Sequence, residues 1–262
     1  MPTVALRDMK AVNGDTRMPR LVFVPLFLLA LAAVPTPAQS GNDVTEQMWL
    51  DVNPAYFINP DLKFFGDIGT RWEVGDNGWW RLVIRPSFRT KLAGRFYFTF
   101  GIGNFLTFNE VIDNRWELRP FQGLDFNWPR GRFALRHYFR LEERYDYNAA
   151  TWEVRTSLRG RYRLSAAYQF GARRTDRFWQ VGVSGEIFAT FTGQQGQMRE
   201  QSRVTLGLDR SLRRDIHFRF ELTWQEEGAL SDEGDGVTNL YFRFRLTKKW
   251  GHARSLREES SS

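Results

Sequence analysis

Residues 133–147 alternate between apolar and charged side chains over a length that few folds accommodate. The odd-numbered positions carry mainly aromatic and aliphatic residues, and the even-numbered positions include Arg136, Arg140, Glu142 and Arg144. Successive side chains of a β-strand point to opposite faces, so this pattern predicts a strand with one apolar and one densely charged face. The chain must therefore form a sheet whose two faces meet very different surroundings.

The same alternation recurs along the chain and predicts an all-β fold. No segment after Gln39 shows helical periodicity, whereas alternating segments separated by turn residues are typical of antiparallel sheets. We therefore predict a closed, antiparallel, up-and-down β-barrel of about twelve strands. The predicted strands are residues 46–53, 61–74, 79–92, 95–109, 113–127, 131–146, 150–162, 164–174, 177–190, 198–210, 214–226 and 237–249.

Strand length and aromatic placement favour a transmembrane barrel. Strands of about 12–15 residues, tilted by about 45°, stand roughly 28–35 Å tall and cover the ~25 Å apolar band of an outer-membrane barrel. Tryptophans gather at segment ends, for example Trp80, Trp128 and Trp250, as an aromatic girdle at the membrane interface requires. We therefore expect the apolar face to contact lipid and the charged face to line the lumen.

The predicted lumen face is rich in arginine, which pairs with carboxylate or phosphate through two parallel hydrogen bonds. The chain has 32 Arg but only 5 Lys. Because the arginines of this face outnumber its acidic residues, the lumen is expected to attract anions. The predicted lumen network is Arg81, Arg85, Arg89, Arg115, Glu117, Arg119, Arg136, Arg140, Glu142, Arg144, Glu153, Arg155, Arg159, Arg203, Arg219, Glu221, Arg243 and Arg245.

A hairpin centred on residues 148–149 would align the charges of two neighbouring strands. In that register Arg144 lies opposite Glu153, and Glu142 lies opposite Arg155. Opposite charges that face each other across an antiparallel ladder stabilise the pairing. The register predicts salt bridges along this hairpin.

An even number of strands places both chain termini at the same end of the barrel, which we expect to be periplasmic. Connections 191–197 and 226–237 are then expected outside the cell. Connections 75–78 and 212–215 are expected on the periplasmic side, in line with the usual asymmetry of long and short loops.

Three residues fit the alternation poorly. Pro86 and Pro120 lie inside predicted strands, and proline has no N–H, so we expect a bulge or a lost ladder bond at each. His137 falls on the lipid-facing side and is the candidate base of a Ser–His hydrolase site on the outer wall. Its predicted neighbours are apolar, and no serine lies opposite.

The N-terminus predicts export. A basic flank precedes the apolar stretch 21–34, and a small-residue site ends at Ala38, so residues 1–38 are predicted to be a cleaved signal peptide. Met18 is an alternative start, and an N-terminal membrane anchor remains an alternative reading. The predicted barrel then spans residues 39–250.

Residues 251–262 are predicted to be a polar tail, and no second domain is expected. The chain has no cysteine, which excludes disulfides, thiolate metal sites and cysteine nucleophiles. Its histidines, at 137, 217 and 252, share no metal-ligand spacing. We therefore expect no catalytic residue, metal or cofactor.

The paired segments "RHYFRLEERYDY" and "WEVRTSLRGRYRL", with the final "NLYFRFRL", resemble the bacterial outer-membrane barrel family called domain of unknown function 2490. The resemblance covers most of the chain after the signal peptide. It implies a barrel in the outer membrane of a Gram-negative bacterium. The family has no established activity, so the resemblance implies no catalytic residues.

Three functional hypotheses follow from the sequence. The first is a non-enzymatic, monomeric outer-membrane barrel, either a narrow anion-favouring pore or a binding or structural barrel. The alternative is an outer-membrane lipid-modifying hydrolase, and the third is a soluble periplasmic lipocalin-like barrel with its apolar face inside. The partners expected for the first are outer-membrane lipids, lipopolysaccharide and the barrel-insertion machinery, with no nucleic acid.

Overall fold

The described residues form eleven β-strands that close into one barrel in a computed structural model of the protein. All of them belong to the compact unit Gly41–Ser262, and none lies in a helix long and apolar enough to cross a membrane. The predicted signal peptide and residues 252–262 of the predicted tail lie outside the described residues. The described residues are 44–75, 78–128, 131–170, 177–192, 198–229 and 237–251.

Each strand pairs in antiparallel fashion with the next, and the first and last strands close the barrel. Closure leaves no sheet edge with unpaired backbone groups. The strands are β1 (Val44–Phe57), β2 (Leu62–Glu73), β3 (Trp80–Ala93), β4 (Phe96–Phe108), β5 (Arg115–Trp128), β6 (Phe133–Asn148), β7 (Val154–Phe170), β8 (Trp179–Thr192), β9 (Met198–Arg213), β10 (Ile216–Ala229) and β11 (Val237–Gly251).

The closed all-β barrel is confirmed, but the strand count of about twelve is one too high because β7 is a single strand. The predicted strands 150–162 and 164–174 merge in β7, which pairs with β6 and β8 along its length. The break predicted at Arg163 is wrong because Arg159, Arg161 and Arg163 keep one unbroken inward alternation.

The odd strand number changes the topology predicted for the chain ends. β1 runs parallel to β11, so β1 begins at one end of the barrel, here called the upper end, and β11 finishes at the lower end. Merging two predicted strands into one also reverses every later connection relative to the earlier ones. The connections 75–78 and 226–237, predicted on opposite sides, therefore join strands at the same upper end.

The seam between β1 and β11 is closed by interior side chains as well as by backbone hydrogen bonds. Asp51 forms an ion pair with Arg243, and the ring of Trp49 stacks on that of Tyr241 with centroids 4.5 Å apart. All four side chains point inward, and the parallel ladder pairs Trp49 with Arg243, so each contact joins positions two residues apart in register. Side-chain contacts in the interior therefore add to the backbone hydrogen bonds that hold β1 and β11 together.

The turn between β9 and β10 is fastened to β11 at the lower end. Asp215 accepts a hydrogen bond from Lys248, and the backbone N–H of Lys249 donates to the carbonyl of Asp215 at 2.8 Å. The hydrogen bond from Lys248 is the main reason that the pKa of Asp215 lies below its usual value.

Pro86 and Pro120 interrupt the wall as predicted, and Pro54 of β1 likewise has no partner on β2. The β3–β4 ladder passes from Ile84 directly to Ser87, so Pro86 has no partner on β4. The β5–β6 ladder likewise passes from Leu118 to Phe121 without pairing Pro120. The register is the same on both sides of each gap, so each proline costs ladder pairing without creating a bulge.

Gly69 allows the closest approach of β1 to β2. A Cβ atom at this position would overlap the carbonyl oxygen of Leu50 and the carboxylate of Asp51. Gly69→Ala is therefore expected to lower the free energy of unfolding by about 1–3 kcal/mol through overpacking. Gly185→Ala is the control, because a Cβ there meets nothing within 4 Å. Denaturant midpoints followed by tryptophan fluorescence test this pair, and equal midpoints would contradict the packing described.

Candidate functional site

The barrel encloses a cavity of about 890 Å³ in its upper half, and arginine dominates its lining. Among the described residues, fifteen arginines line it beside four acidic residues, Asp67, Glu142, Asp146 and Glu227. The lining arginines are Arg71, Arg81, Arg85, Arg115, Arg119, Arg136, Arg140, Arg144, Arg155, Arg159, Arg161, Arg163, Arg203, Arg243 and Arg245.

Glu142 is a buried carboxylate that contacts three arginines. Its side chain is 1% exposed and lies 3.1 Å from Arg140, 3.7 Å from Arg119, and 2.8 Å from Nε of Arg159. One buried carboxylate therefore forms ion pairs with three arginines, one each from β5, β6 and β7. A charge in this position is stable only while its partners remain.

Two further acidic residues repeat this arrangement. Glu117 accepts a hydrogen bond from Arg119 at 2.6 Å and another from Arg144.

Glu186 on β8 pairs with Arg161 at 2.7 Å and with Arg163, and lies 3.8 Å from Arg203. Glu117 and Glu186 thus each connect neighbouring strands around the wall. The single negative charge of each is smaller than the total positive charge of the arginines that it contacts.

Glu221 and five aspartates form further ion pairs around the wall. Glu221 lies 3.3 Å from Arg245, 3.4 Å from Arg219 and 3.6 Å from Arg243. The other interior pairs are Asp51 with Arg243, Asp67 with Arg85, Asp125 with Arg89 and Arg136, Asp146 with Arg115, and Asp209 with Arg219.

Aromatic rings supply the second kind of contact for the buried guanidinium groups. Phe105 and Phe188 are 1% and 3% exposed, so their rings are part of the interior. A guanidinium that lies over a ring face is stabilised by the ring quadrupole. The closest such pairs are Arg71 on Trp49 at 3.9 Å, Arg119 on Phe105 and Arg89 on Tyr97 at 4.0 Å, and Arg140 on Phe121 at 4.5 Å.

Arg71 and Arg81 form the least neutralised part of the cavity. They lie directly opposite each other on β2 and β3, and neither forms an ion pair with a described residue. Arg81 Nε donates to Oγ1 of Thr107 at 2.7 Å, whereas the buried Nε of Arg71 has no hydrogen-bond partner among the described residues. Like charges placed directly opposite repel each other, so this pair is ready to accept an anion.

All the predicted lumen residues except Glu153 lie at inward-facing strand positions. Glu153 lies in the exposed connection between β6 and β7. The predicted pairing of Arg144 with Glu153 and of Glu142 with Arg155 is wrong, because that connection spans five residues rather than two. In the observed register Glu142 faces Arg159 and Arg144 faces Ser157. The shift of four residues leaves every side chain on its predicted face.

Several interior residues were absent from the predicted network. Those missed are Asp51, Asp67, Asp125, Asp146, Arg161, Arg163, Glu186 and Asp209. Glu186 is the single charged residue of β8, so charge density did not mark it. Strand parity would have found most of them, since they occupy the inward positions of their strands.

The surroundings of His137 do not form a hydrolase site. Its Nδ1 lies 2.9 Å from the hydroxyl of Tyr162, and its cross-strand partners are Phe126 and Leu164. Within the described ranges no group of three or more histidine and acidic side chains is arranged to hold a metal ion. His137 therefore lies in an aromatic patch of the outer face, with a tyrosine as its polar partner.

Comparison with known proteins adds a family match. The family model described as "Protein of unknown function (DUF2490)" matches residues 46–233, which include most of β1 and all of β2 to β10. No curated protein matches the chain.

Glu142 and Glu153 provide a matched test of the network. Glu142→Gln leaves three arginines without their shared carboxylate and is expected to cost about 3–5 kcal/mol of folding free energy. Glu153→Gln removes an equal charge from an exposed connection and is expected to change stability by less than about 0.5 kcal/mol. Urea midpoints of the two variants measure the difference. Similar midpoints would contradict the position assigned to Glu142.

Proposed function

We propose a function from the geometry of this chain itself, because it belongs to the DUF2490 family, whose function is unknown. The protein is a monomeric β-barrel of the Gram-negative outer membrane, exported by the signal peptide of residues 1–38 and non-enzymatic. Its arginine-lined interior takes up anions, as a binding barrel or as a narrow pore. The observation that carries the anion preference is the Arg71–Arg81 pair, two facing cations without a carboxylate in the described interior.

The outer face of the barrel supports the membrane location. Soluble monomers rarely expose a continuous apolar surface of more than a few hundred Å². Here exposed aliphatic and aromatic residues recur on strand after strand. Examples with 40–61% exposure are Leu50, Val52, Ile68, Ile84, Phe96, Phe100, Leu124, Phe139, Leu158, Leu164, Ile187, Leu206, Leu208 and Leu246.

Two aromatic belts flank this apolar band. Near the upper end, the rings of Trp80 and Phe108 stack with centroids 4.3 Å apart. Near the lower end, Tyr56 and Trp250 pack at 6.2 Å, and Trp128 is 53% exposed. Amphipathic rings favour the two interfaces of a bilayer, so the belts support a barrel that spans it.

The strand lengths are suitable for the same role. Strands run from 12 residues in β2 to 17 in β7, which corresponds to roughly 28–40 Å of height at a tilt of about 45°. The partners that follow from this location are outer-membrane lipids, lipopolysaccharide and the machinery that inserts barrels.

The interior network leaves room for a ligand. The ion pairs join residues of the same strand or of strands one or two apart in the wall, so the described network follows the wall and does not cross the lumen. Barrels of about eight strands are filled by side chains, and barrels of sixteen hold a channel. A cavity of about 890 Å³ in an eleven-stranded barrel therefore supports binding or narrow passage of small anions.

The anion preference can be measured directly. In a planar bilayer the unmodified protein is expected to prefer chloride over potassium, and Arg71→Gln with Arg81→Gln is expected to reduce that preference. Arg210→Gln with Arg213→Gln is the control, since Arg210 packs on outward-facing Trp179 and Arg213 lies at the lower end of β9. Reversal potentials in a salt gradient report the effect. A cation preference of the unmodified protein would refute the proposal.

The membrane-facing side of β10 provides a second test. Phe220 points outward and packs against Phe244 at 5.1 Å, while its neighbour Arg219 points inward. Phe220→Arg is expected to cost about 2–4 kcal/mol near the middle of the bilayer and to impair assembly. Arg219→Gln should assemble more efficiently than this variant. Heat-modifiable migration in outer-membrane fractions measures assembly, and normal assembly of Phe220→Arg would contradict the assigned face.

A further inference from the structure

We propose that the outer wall between β3 and β6 binds an acyl chain of an anionic lipid, whose headgroup reaches the arginine cavity when the ring of Phe121 turns aside. The inference rests on the proposed membrane location and names the class of ligand that the interior would receive. It requires an apolar groove on the outer face, interrupted strand pairing behind the groove, and positive charge on the inner side of that interruption.

The groove is a hollow of about 480 Å³ on the outer face. The groove crosses β3 to β6, and its apolar lining includes Phe88, Phe100, Ile102 and Leu141. This volume falls within the range of roughly 300–1,000 Å³ that is usual for ligand pockets. The groove lies between the two aromatic belts, where the neighbours of a membrane barrel are lipid tails, so the occupant we infer is an acyl chain.

The wall behind the groove lacks part of its hydrogen-bonded ladder. Pro120 lies opposite Ile102 in the β4–β5 ladder, and Pro86, which has no partner on β4, occupies the corresponding position on β3. Glu143 of β6 is the residue that Pro120 leaves without a partner on β5. Two interruptions at the same height lower the cost in hydrogen bonds of opening this part of the wall.

Behind the interrupted ladders, aromatic rings from neighbouring positions cover the inner surface of β4, because β4 has glycines there. The inward-facing positions of β4 here are Gly101 and Gly103, and a Cβ on either would overlap an aromatic ring. At Gly101 the ring is that of Phe121, 2.8 Å away, and at Gly103 it is that of Phe105, 2.7 Å away. Phe121 points inward but lines both the outer groove and the inner cavity, so its ring contributes to the barrier between the two at the interrupted ladders.

The residues behind Phe121 suit an anionic headgroup. The guanidinium of Arg140 lies 4.5 Å from the centre of the Phe121 ring. Four arginines here share the two carboxylates of Glu117 and Glu142, so this group keeps a net positive charge. The four are Arg119, Arg140, Arg144 and Arg159. A phosphate that enters beside Phe121 would meet donors that Glu142 alone does not neutralise.

The first experiment locates the acyl chain. The full chain is reconstituted in phosphatidylethanolamine vesicles that contain phosphatidylglycerol with a photoreactive acyl chain, and the adducts are mapped by mass spectrometry. Adducts at residues 100–102, 120–122 and 141–143 are expected to exceed those at Val183 and Leu206 several-fold. The latter two pair without interruption on the opposite wall. Even labelling around the barrel would overturn the proposal.

Matched substitutions test the groove itself. Ile102→Trp fills the groove and is expected to reduce capture roughly fivefold to tenfold, since it excludes several methylene groups of the chain from apolar contact. Leu206→Trp adds the same ring to the opposite wall and is expected to leave capture unchanged. An equal loss in both variants would show that the reduction is not specific to the groove and would overturn the site.

A second pair of variants tests the passage through the wall. Phe121→Ala is expected to increase adducts on interior positions near Arg119 and Arg140 several-fold. Phe188→Ala removes an equally buried interior ring from a wall with complete pairing and should not. The same photoreactive chain on zwitterionic phosphatidylcholine should give fewer interior adducts. Equal interior labelling by both lipids would overturn the role of the arginines.

Insertion is measured first, by heat-modifiable migration and by protection from added protease. A chain that fails to insert would overturn the proposed membrane function. An inserted barrel that is labelled evenly would overturn only the lipid site, so the two failures can be told apart.

Discussion

Inside a closed sheet, an arginine keeps its charge only where a carboxylate, an amide oxygen or an aromatic ring replaces the water it has lost. This requirement governs how the charged interior of the barrel is arranged. Glu117, Glu142 and Glu186 each hold two or three guanidinium groups from neighbouring strands. Rings such as Phe105 and Phe188 cover the remaining faces. The network therefore connects neighbouring strands around the wall and keeps the upper interior polar.

The same requirement explains where the interior is incomplete. A network that satisfied every cation would neutralise the lumen, but Arg71 and Arg81 face each other without a carboxylate among the described residues. Their position at the upper end, beside Trp49 and above the shared carboxylates, gives the cavity a region of uncompensated positive charge. Arginines with and without a carboxylate partner thus occupy one lining, and the distribution of acidic residues separates the two groups.

The wall itself is uneven for a related reason. The ladders on either side of β4 and β5 are interrupted beside Pro86 and Pro120, where proline offers no N–H. The glycines behind these gaps are covered by Phe105 and Phe121. Backbone pairing, which elsewhere isolates the two faces, is replaced here by the packing of rings, and rings can rotate.

The sequence by itself determined which side chains face in and which face out, because alternation is a local property of each strand. Arg81, Glu142 and Arg243 needed no tertiary information to be placed inside. Strand number and register depended on turns and cross-strand pairing, which local alternation does not encode. The uninterrupted course of β7 through Arg163 and the five-residue connection before Val154 therefore emerged only in the folded barrel. The first places Val44 of β1 and Gly251 of β11 at opposite ends of the barrel, and the second pairs Glu142 with Arg159. Both depend on how the whole sheet closes.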